Sequence, residues 1–123
     1  SLMPTYRYDD ELAATRISHR LCGELQLLAP FGQGNPRPRF VTRGLNVEWV
    51  SLVGRDGWHV KMGLSAGDRS LIGIAWRKGE RAHEIQPGMP LDILYTLKTE
   101  ERRGVVELVP TIEDFRPATT EEW

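Results

Sequence analysis

At 123 residues the chain suits one domain with an appended element, and it is long enough to bury a core without disulfides. Sixteen lysines and arginines against 17 aspartates and glutamates give a net charge of −1, which excludes a strongly basic nucleic-acid binder and leaves any such binding to local charge arrangement. The single cysteine, Cys22, excludes an internal disulfide framework and a cysteine-rich zinc site, and it makes a reducing, cytoplasmic setting the default.

No apolar run approaches the ~20 residues of a membrane helix. The opening SLMPTYRYDDE lacks the charged-then-apolar pattern of a signal peptide. Ser1 and Leu2 ahead of Met3 read as vector-derived, residues 1–8 as a disordered or tag-derived N-terminus, and the chain as a piece of a longer protein.

Residues 9–28, DDELAATRISHRLCGELQLL, are predicted as a helix. Asp9 or Asp10 can cap its free N–H groups, and Glu11 suits the positive end of its dipole. Ile17, Leu21, Leu25 and Leu28 fall on one face, with Ala13 one turn earlier. Gly23 weakens the helix interior by about 1 kcal/mol relative to alanine. Pro30 ends the helix, because a residue before proline avoids the α region. An apolar stripe of this kind is expected to fold onto the rest of the domain or to pair with a second copy.

The segment PFGQGNPRPRF (30–40) admits two readings. As a phosphate loop it is poor: it follows a helix instead of opening one, and it lacks the Lys-Ser/Thr of a P-loop. As a rigid connector it is better. Gly32 and Gly34, with Asn35, permit positive φ in a tight turn, Pro36 and Pro38 stiffen an extended run, and Phe31 and Phe40 anchor the ends.

From residue 41 the period becomes two. LNVEWVSLV (45–53) alternates and then slips phase, which predicts a bulge or bend in a long first strand. GRDG (54–57) is a turn. WHVKMGLS (58–65) sets Trp58, Val60, Met62 and Leu64 on one face. AGDR (66–69) turns again. SLIGIAWRK (70–78) sets Ile72, Ile74 and Trp76 against Leu71, Gly73, Ala75 and Arg77. GERAHEIQPGMP (79–90) is a polar crossover with room for one helical turn. LDILYTLKT (91–99) and VVELVPTIEDF (105–115) are strands around a hairpin tip, EERRG (100–104). Residues 118–123 read as a frayed tail. A helix followed by three strands, a crossover and a final hairpin gives a mainly β fold, a five-stranded OB-fold Greek-key barrel with an N-terminal α-helix. An SH3-like barrel has the same strand count.

No catalytic constellation emerges. His19, His59 and His83 lack ligand spacing and read as solvated surface groups; no metal site and no catalytic residue is expected. Cys22 reads as a partly buried small hydrophobe. An OB barrel holds single strands across its second and third strands by aromatic stacking and backbone-tracking cations. The candidates are Arg55, Trp58, Lys61, Arg77, Lys78, Lys98, Arg102 and Arg103. Trp58 shares phase with Val60 and Met62, which equally fits a core position. Glu100 and Glu101 dilute the field of the last hairpin. Residues 40–117 hold eleven basic and eleven acidic side chains, so binding by the isolated domain should be weak.

LLAPFGQGNPRPRF resembles the L-x-P-F-G-x-G-N-P-x-P-x-F segment of the RecJ family of single-strand-specific DNA exonucleases, through Leu28, Pro30, Phe31, Gly32, Gly34, Asn35, Pro36, Pro38 and Phe40. HVKMGL, IGIAWRKGE, PLDILYTL and IEDFRP resemble pieces of the same family's OB domain. The resemblance implies a helix (9–29) closing a preceding DHHA1 domain, a connector (30–40), an OB domain (41–117) and a tail (118–123). It implies a parent 5′-to-3′ exonuclease of DNA repair and recombination. That parent's Mn²⁺ or Mg²⁺ would sit on DHH motifs absent from this chain, so no cofactor is expected here. The implied partners are single-stranded DNA, the DHH and DHHA1 domains and a single-strand-binding protein. Relatives often carry an aromatic residue where this chain has TEERRG, so Arg102 or Arg103 would have to substitute. A protein-interaction barrel is the other reading.

Overall fold

Where the sequence alternates apolar and polar residues, the chain forms strands and closes them on one another. The computed structural model describes residues 8–123. These comprise β1 (Asp10–Glu11), α1 (His19–Gln26), β2 (Phe40–Val53), β3 (His59–Ala66), β4 (Arg69–Ala75), β5 (Pro90–Arg102) and β6 (Val105–Pro117), with short 3₁₀ turns at Ala14–Arg16, Arg55–Gly57 and Gly79–Glu84. The first seven residues, expected to be disordered or tag-derived, lie outside the described residues; Tyr8 packs beside Val41, Leu94 and Trp123.

β2 serves both halves of the barrel. Its start pairs antiparallel with β5 and its remainder with β3. The phase slip in the sequence is a register shift between Val47 and Trp49, and a second shift lies between Thr42 and Leu45. β3 and β4 form a hairpin, β5 and β6 another, and β4 meets β6 in parallel at Ile74 and Thr111. The order β2–β3–β4–β6–β5, with β5 returning to β2, is the OB-fold barrel.

The interior takes Leu45 and Val47 from β2, Val60, Met62 and Leu64 from β3, and Leu91, Ile93 and Tyr95 from β5. Ile112 and Phe115 of β6 complete it. On β4 the Leu71, Gly73 and Ala75 face points inward, while Ile72 and Trp76 are exposed. Packing sets that sign: a Cβ on Gly73 would lie 2.7 Å from Ile112 Cδ1.

The Tyr95 hydroxyl lies inside the barrel, 2.7 Å from Thr42 Oγ1. Burial pushes its phenol from 10.0 up to about 12, against a smaller lowering by the Thr42 hydrogen bond. The folded state therefore keeps a proton that the unfolded chain releases. The stability this supplies is complete below pH 10.0 and is lost as pH rises through about 12. Ultraviolet titration should show one of the three tyrosines ionising only near pH 12. Tyr95→Phe should delete that step; complete ionisation well below it in the folded protein would refute the assignment.

Several local expectations are corrected. The helix expected over 9–28 is confined to His19–Gln26. Asp9 to Leu12 instead run along the start of β2: Asp9 N donates to Arg39 O, Leu12 N donates to Val41 O, and Arg39 N donates to the Asp9 carboxylate. Ser18, not Asp9 or Asp10, caps α1 by accepting from Leu21 N. Ile17 and Cys22 are buried and Leu21 and Leu25 pack on the core, whereas Ala13 and Leu28 are exposed.

In the connector, Gly32 and Asn35 exchange backbone hydrogen bonds, and the Asn35 amide donates to Leu28 O and Pro30 O. Neither Gly32 nor Gly34 takes positive φ, so Asn35 holds the turn. Phe31 lies under the Arg37 guanidinium; Pro36 and Pro38 lead to Phe40, which is already part of β2 and packs on Tyr95. The last hairpin is longer than expected, with its tip at Arg103 and Gly104, both at positive φ.

The tail is docked, not frayed. Ala118 N donates to Pro90 O, Thr119 N donates to the buried Asp92 carboxylate, and Trp123 is buried under the Arg116 guanidinium.

Candidate nucleic-acid interface

The outer faces of β3 and β4 carry an aromatic surface that the fold leaves uncovered. Trp58 is 56% exposed and Trp76 52% exposed, with His59 between them. The His59 ring lies 5.7 Å from Trp58, nearly parallel at 15°, and meets Trp76 edge-on at 4.8 Å. Arg77 N donates to His59 Nδ1 at 2.9 Å, which places the neutral ring's proton on Nε2. The Arg77 guanidinium sits 5.6 Å from the Trp58 ring centre.

Two glycines make this surface fit. Gly54, at φ 81, passes so close to the His59 ring that a Cβ would come within 2.6 Å of Cδ2. Gly79 lies against the 55–58 turn, its N–H bonded to Trp58 O, and a Cβ there would collide with Gly57 O. Farther along β3, Trp49 of β2 lies flat over Gly63 and remains 39% exposed.

Beside this surface runs a groove of about 430 Å³ between β4 and the last hairpin. Val53, Ile72, Ile74, Trp76, Leu108 and Val109 supply apolar walls; Lys61 and Arg102 supply cations and Glu100 and Glu107 carboxylates. The chemistry on offer is ring stacking with two cations within reach, which suits unstacked bases on a charged backbone.

The structure sorts the eight expected contact residues. Trp58 and Arg77 share the aromatic cluster, and Lys61 and Arg102 line the groove. Arg55 lies in the turn beside Trp58 and Glu80, and Lys78 precedes the 3₁₀ turn that starts at Gly79. Arg103 stands at the hairpin tip. Lys98 lies elsewhere, lining a cavity with Cys22, Phe31 and Arg37. Trp58 belongs to the surface although its phase matches the buried Val60 and Met62, because it precedes β3 in the 55–58 turn.

Sequence reasoning passed over Trp49, His59 and Trp76. A signal for Trp76 was present: the Gly67–Asp68 turn pairs Val60 with Ala75, so His59 and Trp76 must be neighbours. The other histidines do not join them. His83 Nδ1 lies 2.8 Å from Glu80 O, and His19 opens α1 at an exposed position. The buried Cys22 thiol is pushed up by burial, only partly offset by Arg37. Among the described residues no group of three or more His, Cys, Asp or Glu side chains is placed to hold a metal ion.

Comparison with known proteins agrees with this architecture. The single-stranded-DNA-specific exonuclease RecJ of Bacillus subtilis is 26% identical over 121 residues, which cover 98% of this chain and 15% of that protein. RecJ of Thermus thermophilus, solved with Mn²⁺, superposes with a TM-score of 0.63 at 26% identity, over 84% of this chain and 14% of that one. SSBb, the second single-stranded-DNA-binding protein of Mycobacterium smegmatis, superposes with a TM-score of 0.53 at 16% identity, over 69% of this chain and 96% of that one; this is a likeness of fold. The chain thus spans about a seventh of the RecJ relatives' length. The family described as the RecJ OB domain matches residues 8–114, and the chain belongs to that family.

Proposed function

We propose that this domain is a non-catalytic, single-stranded-DNA-binding module of a RecJ-like 5′-to-3′ exonuclease acting in DNA repair and recombination in the cytoplasm. The observation that carries the reading is the exposed Trp58–His59–Trp76 row opening onto a groove with Lys61 and Arg102. Hydrolysis, with the Mn²⁺ or Mg²⁺ present in the Thermus RecJ structures, is assigned to the DHH and DHHA1 part of the parent. The donor sets such a metal needs are missing among the described residues.

Titrating a fluorescent oligonucleotide against salt tests this. With Lys61, Arg77 and Arg102 as phosphate contacts, affinity should fall with log salt at a slope of about −2. Absence of binding at low salt, or binding indifferent to salt, would sink the proposal.

A second reading rests on Leu27 (85% exposed) and Leu28, next to a cavity of about 520 Å³ between α1, the connector and β5. Such a face suits docking against another domain of the same enzyme or a protein partner, such as a single-strand-binding protein. Self-association through the Ile17 stripe finds less support, because that stripe already packs on the barrel.

A further inference from the structure

The groove holds an arrangement that backbone binding alone does not explain, and its interpretation rests on the single-strand reading above. Glu100 and Glu107 stand directly opposite one another on the β5–β6 ladder. Both line the groove, together with Lys61, Ile72, Trp76 and Arg102. Among the described residues neither carboxylate has a hydrogen-bond or ion-pair partner. Like charges placed directly across a sheet destabilise it, and they repel phosphates. A strand entering this groove must therefore turn its phosphates toward Lys61 or Arg102, the two cations that line it. Its base edges then lie toward the glutamates while one base face meets Trp76.

We propose that Glu100 and Glu107 read the edges of unpaired bases and select those bearing an amino group. A carboxylate accepts from cytosine N4, adenine N6, or guanine N1 and N2. Thymine offers a single N3–H, flanked by two carbonyl oxygens that repel a carboxylate. The groove therefore favours amino-bearing strands over thymine strands, and the two carboxylates act as specificity determinants instead of a simple electrostatic brake.

The test compares fluorescent oligo-dC and oligo-dT, each about 12 nucleotides long to span one OB domain. The wild-type domain should bind oligo-dC roughly 5-fold more tightly, toward the low end expected of a carboxylate–base contact because the groove is open to water. In the E100Q/E107Q double variant the preference should vanish while affinity for oligo-dT rises. Both side chains are exposed, so the variant keeps the fold. Equal binding of the two strands by the wild type overturns the proposal. So does an equal rise for both strands in the variant, which marks plain phosphate repulsion. A protein that binds neither strand at low salt refutes the single-strand reading itself, and the base preference with it.

Discussion

Asp92→Ala is expected to lower the unfolding free energy by about 3–5 kcal/mol, the usual loss when one member of a buried ion pair is removed. Asp92 is fully buried on β5. One carboxylate oxygen accepts from Gly44 N at 2.9 Å; the other accepts from Thr119 N at 3.1 Å and from the Arg43 guanidinium at 3.3 Å. Arg116 stands 3.9 Å away. Truncation leaves two guanidiniums facing an emptied site and two backbone N–H groups without acceptors. It also removes the acceptor of Thr119 N, so the Thr119 amide should lose protection, while Ala118 and Trp123 keep their contacts to Pro90 O and Arg116. Asp92→Asn keeps one acceptor oxygen and should lose less. Domains of this size hold about 5–15 kcal/mol in total, so the change is visible in a urea midpoint. A loss within 1 kcal/mol of wild type would mean that the tail and the arginines are held by other contacts.

Trp58→Ala and Trp76→Ala should each weaken binding of a single-stranded oligonucleotide by about 1–3 kcal/mol, or roughly 5- to 150-fold. Both rings project into solvent, so truncation spares the barrel core. Trp76→Ala should do more damage, because that ring both supports His59 and lines the groove. Leu27→Ser, at the end of α1 outside the groove, serves as a control with unchanged affinity. Fluorescence anisotropy on the three variants decides the matter. If both tryptophan variants bind as wild type does, the aromatic row is not the stacking platform.

The barrel was legible because its signals are local. Period-two alternation, the Gly67–Asp68 and Arg103–Gly104 turns and the phase slip at Glu48 all lie within a few residues of what they dictate. Three features were not legible because distant chain decides them. Asp9 to Leu12 could be helix on propensity, yet Arg39 and Val41 recruit them as strand. The end of the chain looks polar, yet Asp92 and the Val41–Leu94 patch hold it. On β4, Ile72, Ile74 and Trp76 are more apolar than Leu71, Gly73 and Ala75, so apolarity alone favours the face that ends up outside. Contact between Gly73 and Ile112 settles it and turns Trp76 outward. The cations were easier to name than to place: Lys61 and Arg102 meet in one groove, while Lys98 lies by the helix.

The double membership of β2 also constrains how the domain comes to be. Thr42 and Tyr95, whose hydroxyls meet inside the barrel, are 53 residues apart in the chain. The same strand must be in place before β3 has a partner on its other edge. Hairpins β3–β4 and β5–β6 can form early from nearby residues, but neither encloses a core until β2 bridges them. Loop-closure entropy must therefore be lost before most hydrophobic contacts compensate for it. In kinetic terms the slow step belongs to β2, and a substitution there should retard folding more than an equally costly one at the hairpin tip.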